Sequence, residues 1–122
     1  MFNSRINLVV LRVADIDLSA EFYSRLGIVF DKHSHGTGPV HCTAEFAGIV
    51  FELYPASANL PVTSSVRIGF EVSDVATVVS TFEGFRLISP VQESEWGLRA
   101  VLADPDGHRV ELTQPRAKTF VS

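Results

Sequence analysis

At 122 residues the chain suits one domain, or two small modules built alike. Its 10 Lys and Arg against 14 Asp and Glu leave a net charge of −4, which argues against the basic face that nucleic-acid binding requires. An apolar share of 46% fits a globular chain and not a disordered one. The one cysteine, Cys42, forbids an internal disulfide and fits a reducing compartment. The apolar run Leu8 to Leu11 is too short for the core of a signal peptide. No stretch approaches the ~18 apolar residues of a membrane helix. The expectation is a cytoplasmic protein that engages neither nucleic acid nor membrane.

The predicted elements run strand, helix and three strands, twice. Ile6 to Val13 is an apolar, β-branched run that reads as a strand. Asp15 or Asp17 caps a helix to about Leu26, with Ile16, Ala20, Tyr23 and Phe22 as its apolar positions and Gly27 at its end. Ile28 to Ser34 is a second strand, and His35-Gly36-Thr37-Gly38 is a turn. His41 to Phe46 and Ile49 to Tyr54 form a hairpin about Ala47-Gly48. The polar, proline-bearing stretch near residues 56–65 is a linker. A strand over Val66 to Val72 follows, then a helix from Ser73 or Asp74 through Phe82, broken by Gly84. Strands over Phe85 to Val91, Leu98 to Ala103 and His108 to Thr113 complete the set, the last two joined by the turn Asp104-Pro105-Asp106-Gly107. His108, just past that turn, is expected at the surface, and the tail from Pro115 is expected to be loose.

A repeat at an offset of 59 relates the halves. Val13-Ala14-Asp15-Ile16 returns as Val72-Ser73-Asp74-Val75, and Gly48 and Glu52 return as Gly107 and Glu111. Two units are too few for a solenoid. They read as two modules, about residues 5–55 and 66–115. Strand alternation then assigns faces. Val9, Leu11, Val13, Phe51 and Leu53 pack under the first helix, as do Ile68, Phe70, Val110 and Leu112 under the second. Leu8, Val10, Arg12, Val50, Glu52 and Tyr54 share the opposite face of the first module. Arg67, Gly69, Glu71, Arg109 and Glu111 share that of the second. A two-residue turn at Ala47-Gly48 sets Thr43 opposite Glu52 and His41 opposite Tyr54. Such a mixture of large apolar and charged groups suits a sheet cupping a small ligand, although a dimer surface or a wetted face would look similar.

Val9-Val10-Leu11-Arg12-Val13-x-Asp15, with Phe22-Tyr23 and Leu26-Gly27, resembles the opening of the vicinal oxygen chelate superfamily, which holds glyoxalases, bleomycin-resistance proteins and extradiol dioxygenases. Asp104-Pro105-Asp106-Gly107-His108-Arg109-Val110-Glu111-Leu112, preceded by Trp96-Gly97, resembles its closing signature. The resemblance spans about residues 6 to 114. It implies an α+β fold, two βαβββ modules whose curved mixed sheets enclose a cavity, often completed in a homodimer. The superfamily's metal enzymes hold a divalent ion at four positions that correspond to Leu8, Glu52, Arg67 and Glu111. Leu8 has no donor, and Arg67 keeps its proton and repels a dication. No cofactor is therefore expected, and any metal would rest on Glu52 and Glu111 alone. Arg67 is expected to replace the ion as counter-charge to both carboxylates.

Two functions remain open on these residues. One is a metal-independent binder similar to the bleomycin-resistance branch, its ligand contacted by Leu8, Val10, Arg12, His41, Thr43, Val50, Tyr54, Trp96 and Arg109. The other is a glyoxalase-like lyase, isomerase or thiol transferase, in which a divalent metal or Arg67 is the electrophile and Glu52 or Glu111 moves the proton. His41 reads as a polar wall or an acid/base, and Trp96 as a cavity floor or sheet-edge packing. Arg12 and Arg109 serve an anionic ligand group or pair with Glu45 and Glu71. His33 and His35 read as a solvated strand end, with metal ligation as the alternative. Cys42 reads as an inert core thiol.

Overall fold

The computed structural model describes residues 3–117. The chain divides after Ser64 into two compact units, and each holds one four-stranded mixed sheet. In the first unit the strands are β1 (Leu8–Val13), β2 (Asp31–His33), β3 (His41–Phe46) and β4 (Ile49–Pro55), with helix α1 (Ile16–Ser24) between β1 and β2. They lie in the order β1-β4-β3-β2, with β1 parallel to β4 and the remaining pairs antiparallel. In the second unit β5 (Arg67–Glu71), α2 (Val75–Ser80), β6 (Arg86–Ser94), β7 (Gly97–Ala103) and β8 (Arg109–Pro115) repeat the plan in the order β5-β8-β7-β6. The architecture is α+β.

The repeat survives as strand register. Leu8 pairs with Val50 and Val9 with Phe51 in the first sheet; Arg67 pairs with Arg109 and Ile68 with Val110 in the second. Both helices start on the repeated aspartate. Asp15 Oδ1 accepts from the backbone N–H of Asp17 and Leu18 at 3.0 and 3.1 Å, and Asp74 Oδ1 accepts from that of Thr77 at 3.1 Å. Such a cap satisfies N–H groups that have no partner within the helix.

The helices are shorter than their sequence spans, for different reasons. Helix α1 ends at Ser24, and turns carry the chain on to Gly27, whose φ of 87° is open to glycine. Its buried face is Ser19, Phe22 and Tyr23; Ile16 and Ala20 lie at its margin. Helix α2 stops at Ser80 because Val75, Thr77, Val78 and Val79 are β-branched and form helix poorly; Phe82 reaches the core from the turns beyond it. Beneath α1, Leu11, Val13, Phe51 and Leu53 are buried, and the Tyr23 ring lies 5.1 Å from that of Phe51. Beneath α2 the corresponding set is Phe70, Ala100, Leu102, Val110 and Leu112. Cys42 takes its core place with 2% exposure.

Several boundaries differ from the sequence reading. Strand β2 is only three residues long: Ile28 is buried and the Phe30 ring meets Phe51 at 6.0 Å, while Val29 stays exposed. Strand β6 runs past Pro90 to Ser94 on an edge, and its register shifts between Ser89 and Gln92, where proline supplies no N–H. The two hairpins also differ. Ala47 and Gly48, at φ 51° and 81°, make a tight two-residue turn, whereas five residues, 104–108, separate Ala103 from Arg109. The repeat therefore holds for the parallel strand pairs and not for the hairpin loops.

His108 is the plainest correction. It is fully buried, not at the surface. Its Nδ1 donates to Asp104 Oδ1 at 2.9 Å, and the same oxygen accepts from the backbone N–H of Asp106 at 3.0 Å and of His108 at 2.9 Å. The ring closes the turn from inside. At the other end of β8, Arg116 donates to the carbonyls of Ser94 and Glu95, so the chain is held past Pro115, and residues 118–122 of the expected loose tail lie outside the described residues.

Candidate functional site

On the first sheet, the β3–β4 register sets Thr43 opposite Glu52 and brings His41 beside Tyr54, as the tight turn requires. Thr43 Oγ1 donates to Glu52 Oε2 at 2.9 Å, and His41 Nε2 lies 3.6 Å from the same oxygen. The His41 ring lies flat on Tyr54, centroids 4.2 Å apart and planes 8° apart. The Arg12 guanidinium sits 4.8 Å above the Tyr54 ring. Tyr54 is thus stacked against imidazole and guanidinium, which suits the electron-rich face of a phenol. Arg12 and Tyr54, with Pro39, Pro55 and Leu60, line a pocket of about 460 Å³, within the range of small-molecule sites. Leu8, Val10 and Val50 continue this face along β1 and β4; Leu8 is 51% exposed and Val10 37%.

On the second sheet, Arg67 Nη2 donates to Glu111 Oε1 at 2.5 Å. Arg99, on β7, donates to the same oxygen through Nη2 and through Nε, the latter at 3.0 Å. The Arg99 bond foremost, with that of Arg67 behind it, holds the Glu111 carboxyl below the usual carboxylate range against the opposing pull of partial burial. Arg109 is exposed and pairs with Arg67 in the strand register, so Arg67, Arg99 and Arg109 share this face with the carboxylates of Glu71 and Glu111. Trp96 is 69% exposed in the β6–β7 turn. Gly97 follows at φ 126°, where a β-carbon would collide with the Gln114 carbonyl, so the Trp96-Gly97 pair marks a close backbone approach.

Arg99 escaped the sequence reading. Its face depends on the β7–β8 register, and that register follows from the five-residue loop, which no repeat supplied. Within the second unit Arg67 and Arg99 hold Glu111, and within the first Thr43 and His41 lie beside Glu52.

Elsewhere, a pocket of about 510 Å³ beside α1, lined by Asp17, Glu21, Val29 and Phe30 among others, contains none of the expected site residues. Asp104, Asp106 and His108 are the one group of three His, Cys, Asp or Glu side chains, among the described residues, whose donor atoms all lie within 4.8 Å of one another. The Asp104 oxygen is already occupied by the turn it closes, so the group serves structure.

With this geometry established, comparison places the chain. The Glyoxalase/Bleomycin resistance protein/Dioxygenase superfamily model matches residues 5–112, and the protein belongs to that superfamily. No curated protein matches the sequence. Among solved structures, the chain is similar to TnmS3, an antibiotic binding protein from Streptomyces sp. CB03234, at 22% identity, covering 95% of this chain and 99% of that one with a TM-score of 0.77. TioX from Micromonospora sp. ML1 is similar at 21% identity, with 93% and 100% covered and a TM-score of 0.71. A glyoxalase/bleomycin resistance protein from the same Streptomyces strain gives 21%, 90% and 100%, with a TM-score of 0.70. These likenesses show a shared fold.

The superfamily's metal enzymes suggest a divalent ion at Leu8, Glu52, Arg67 and Glu111, and these residues do not fit one. Leu8 offers no donor, Arg67 is a cation, and the Glu111 oxygen that would ligate is held by two guanidinium groups.

Proposed function

We propose that the protein binds a small molecule without an ion at the superfamily's metal position, in the manner of the bleomycin-resistance branch. The observation that carries this is the Arg12–Tyr54–His41 stack at the edge of the 460 Å³ pocket. A planar, electron-rich or anionic aromatic ring gains most from such a surface, because the guanidinium of Arg12 covers the tyrosine ring. Leu8, Val10 and Val50 supply apolar contact on the same sheet face, and Thr43 and Glu52 a polar edge. The antibiotic-binding function in the name of TnmS3 agrees with this reading. The enzymatic alternative is weaker, because Glu111, tied to Arg99 and Arg67 and held deprotonated, is a poor proton acceptor. A homodimer in the cytoplasm completes the proposal, supported by the exposed Leu8 and Val10 on β1 and Ile6 just before it, and by the buried free thiol.

Isothermal titration with bleomycin and a set of planar aromatic acids tests it. Saturable binding, unchanged by EDTA, is expected. Tyr54→Phe should keep the affinity, and Tyr54→Ala should weaken it at least tenfold. Absence of saturable binding, or affinity unmoved in Tyr54→Ala, overturns the reading.

A further inference from the structure

We infer that His33, His35 and His41, with Glu52, form a binding site for a late first-row divalent cation such as zinc on the first sheet. It shares Glu52 with the superfamily position but takes its other donors from β2, β3 and the turn between them, and through His41 and Glu52 it borders the face proposed above for the ligand. The β2–β3 register sets His33 opposite His41, and the chain turns just after β2 to bring His35 to the same place. The three ring centroids form a nearly equilateral triangle, with sides of 6.0, 6.1 and 5.5 Å. Imidazoles sharing a tetrahedral ion at bond lengths of about 2.0–2.1 Å have centroids roughly 5 Å apart. The rings stand outside ligation distance, and no three of these donor atoms lie within 4.8 Å of one another. His33 and His35 are exposed, so binding requires both side chains to rotate inward.

The buried member of the triangle is already prepared. His41 is 3% exposed, and its Nδ1 faces the Pro39 carbonyl at 3.2 Å. A proton there, donated to Pro39, leaves the lone pair on Nε2, the arrangement that a metal-bound histidine adopts. That lone pair faces Glu52 Oε2 at 3.6 Å. Two acceptors turned toward each other repel unless a proton or a metal cation stands between them. Neighbouring donors on a tetrahedral ion lie about 3.3–3.4 Å apart, close to this separation. Three imidazoles and a carboxylate suit zinc, cobalt, nickel or copper far better than magnesium or calcium. Thr43, bonded to the same Glu52 oxygen, orients the carboxylate.

The test uses the untagged full-length protein, stripped with EDTA and dialysed, and titrated with zinc chloride at pH 7.5 by calorimetry. Cobalt(II) gives a parallel optical readout of ligand number. The expected result is one equivalent bound with a Kd below about 100 µM and a tetrahedral cobalt spectrum. His33→Ala and His35→Ala, both at exposed positions that the core does not need, should each weaken binding at least tenfold without lowering the melting temperature of the metal-free protein. No saturable binding, an octahedral cobalt spectrum, or less than tenfold weakening in the His33→Ala/His35→Ala double variant overturns the inference. Since neither histidine touches the Tyr54 pocket, aromatic-ligand binding is read separately in the same variants.

Discussion

Arg67 reaches across the β5–β8 pair to Glu111, 44 residues later in the chain, and closes an ion pair at 2.5 Å on an oxygen that Arg99 also holds. Because the Glu111 pKa is lowered in the folded protein, the pair stabilises the fold at pH values above the ordinary carboxylate value of 4.5. That contribution is lost as the pH falls through the depressed folded value. At pH 7, Glu111→Gln should cost about 1 kcal/mol, the modest figure reflecting the partial exposure of the pair. Urea midpoints of wild type and variant should converge as the solution is acidified below pH 4.5.

Ala47 holds φ at 51° in the two-residue turn between β3 and β4. An L-residue with a β-carbon is strained there, and a type I′ turn favours Asn or Gly. Ala47→Gly should stabilise the protein by about 0.5–1 kcal/mol, even after its greater freedom in the unfolded chain is counted. A rise in the thermal midpoint checks this; a fall would mean that the turn takes another form in solution.

His108 and Asp104 are both buried and bonded to each other. His108→Ala removes the ring and takes a partner from a buried carboxylate, at a cost of about 2–3 kcal/mol. The loss should appear in denaturant unfolding and leave the far-ultraviolet spectrum of the folded state unchanged.

Cys42 is 2% exposed, and burial pushes its thiol pKa up. A buried, protonated thiol is a poor nucleophile. Reaction with an aromatic disulfide reagent at pH 8 should run at least about a hundredfold slower than for a free cysteine, and reach the free rate on unfolding in guanidinium.

The parallel strand pairs were legible because they rest on local pattern. The offset of 59 carries directly into the registers of Leu8 with Val50 and of Arg67 with Arg109. The same holds for the caps at Asp15 and Asp74, and for the His41–Tyr54 stack that a two-residue turn dictates. What escaped depends on loops whose lengths the repeat does not share. Arg99 reaches Glu111 only because residues 104–108 set the β7–β8 register. His33 meets His41 only because the stretch between them returns the chain in one particular alignment. His108 was misread because a turn motif shows which backbone angles its residues prefer and not which side chain folds underneath.

The double grip on Glu111 bears on how such a chain could change its trade. Replacing Arg67 with histidine would restore a donor at that position, yet Arg99 would still occupy the carboxylate. Freeing that oxygen for any other partner thus takes the replacement of both arginines, since either one alone keeps hold of it.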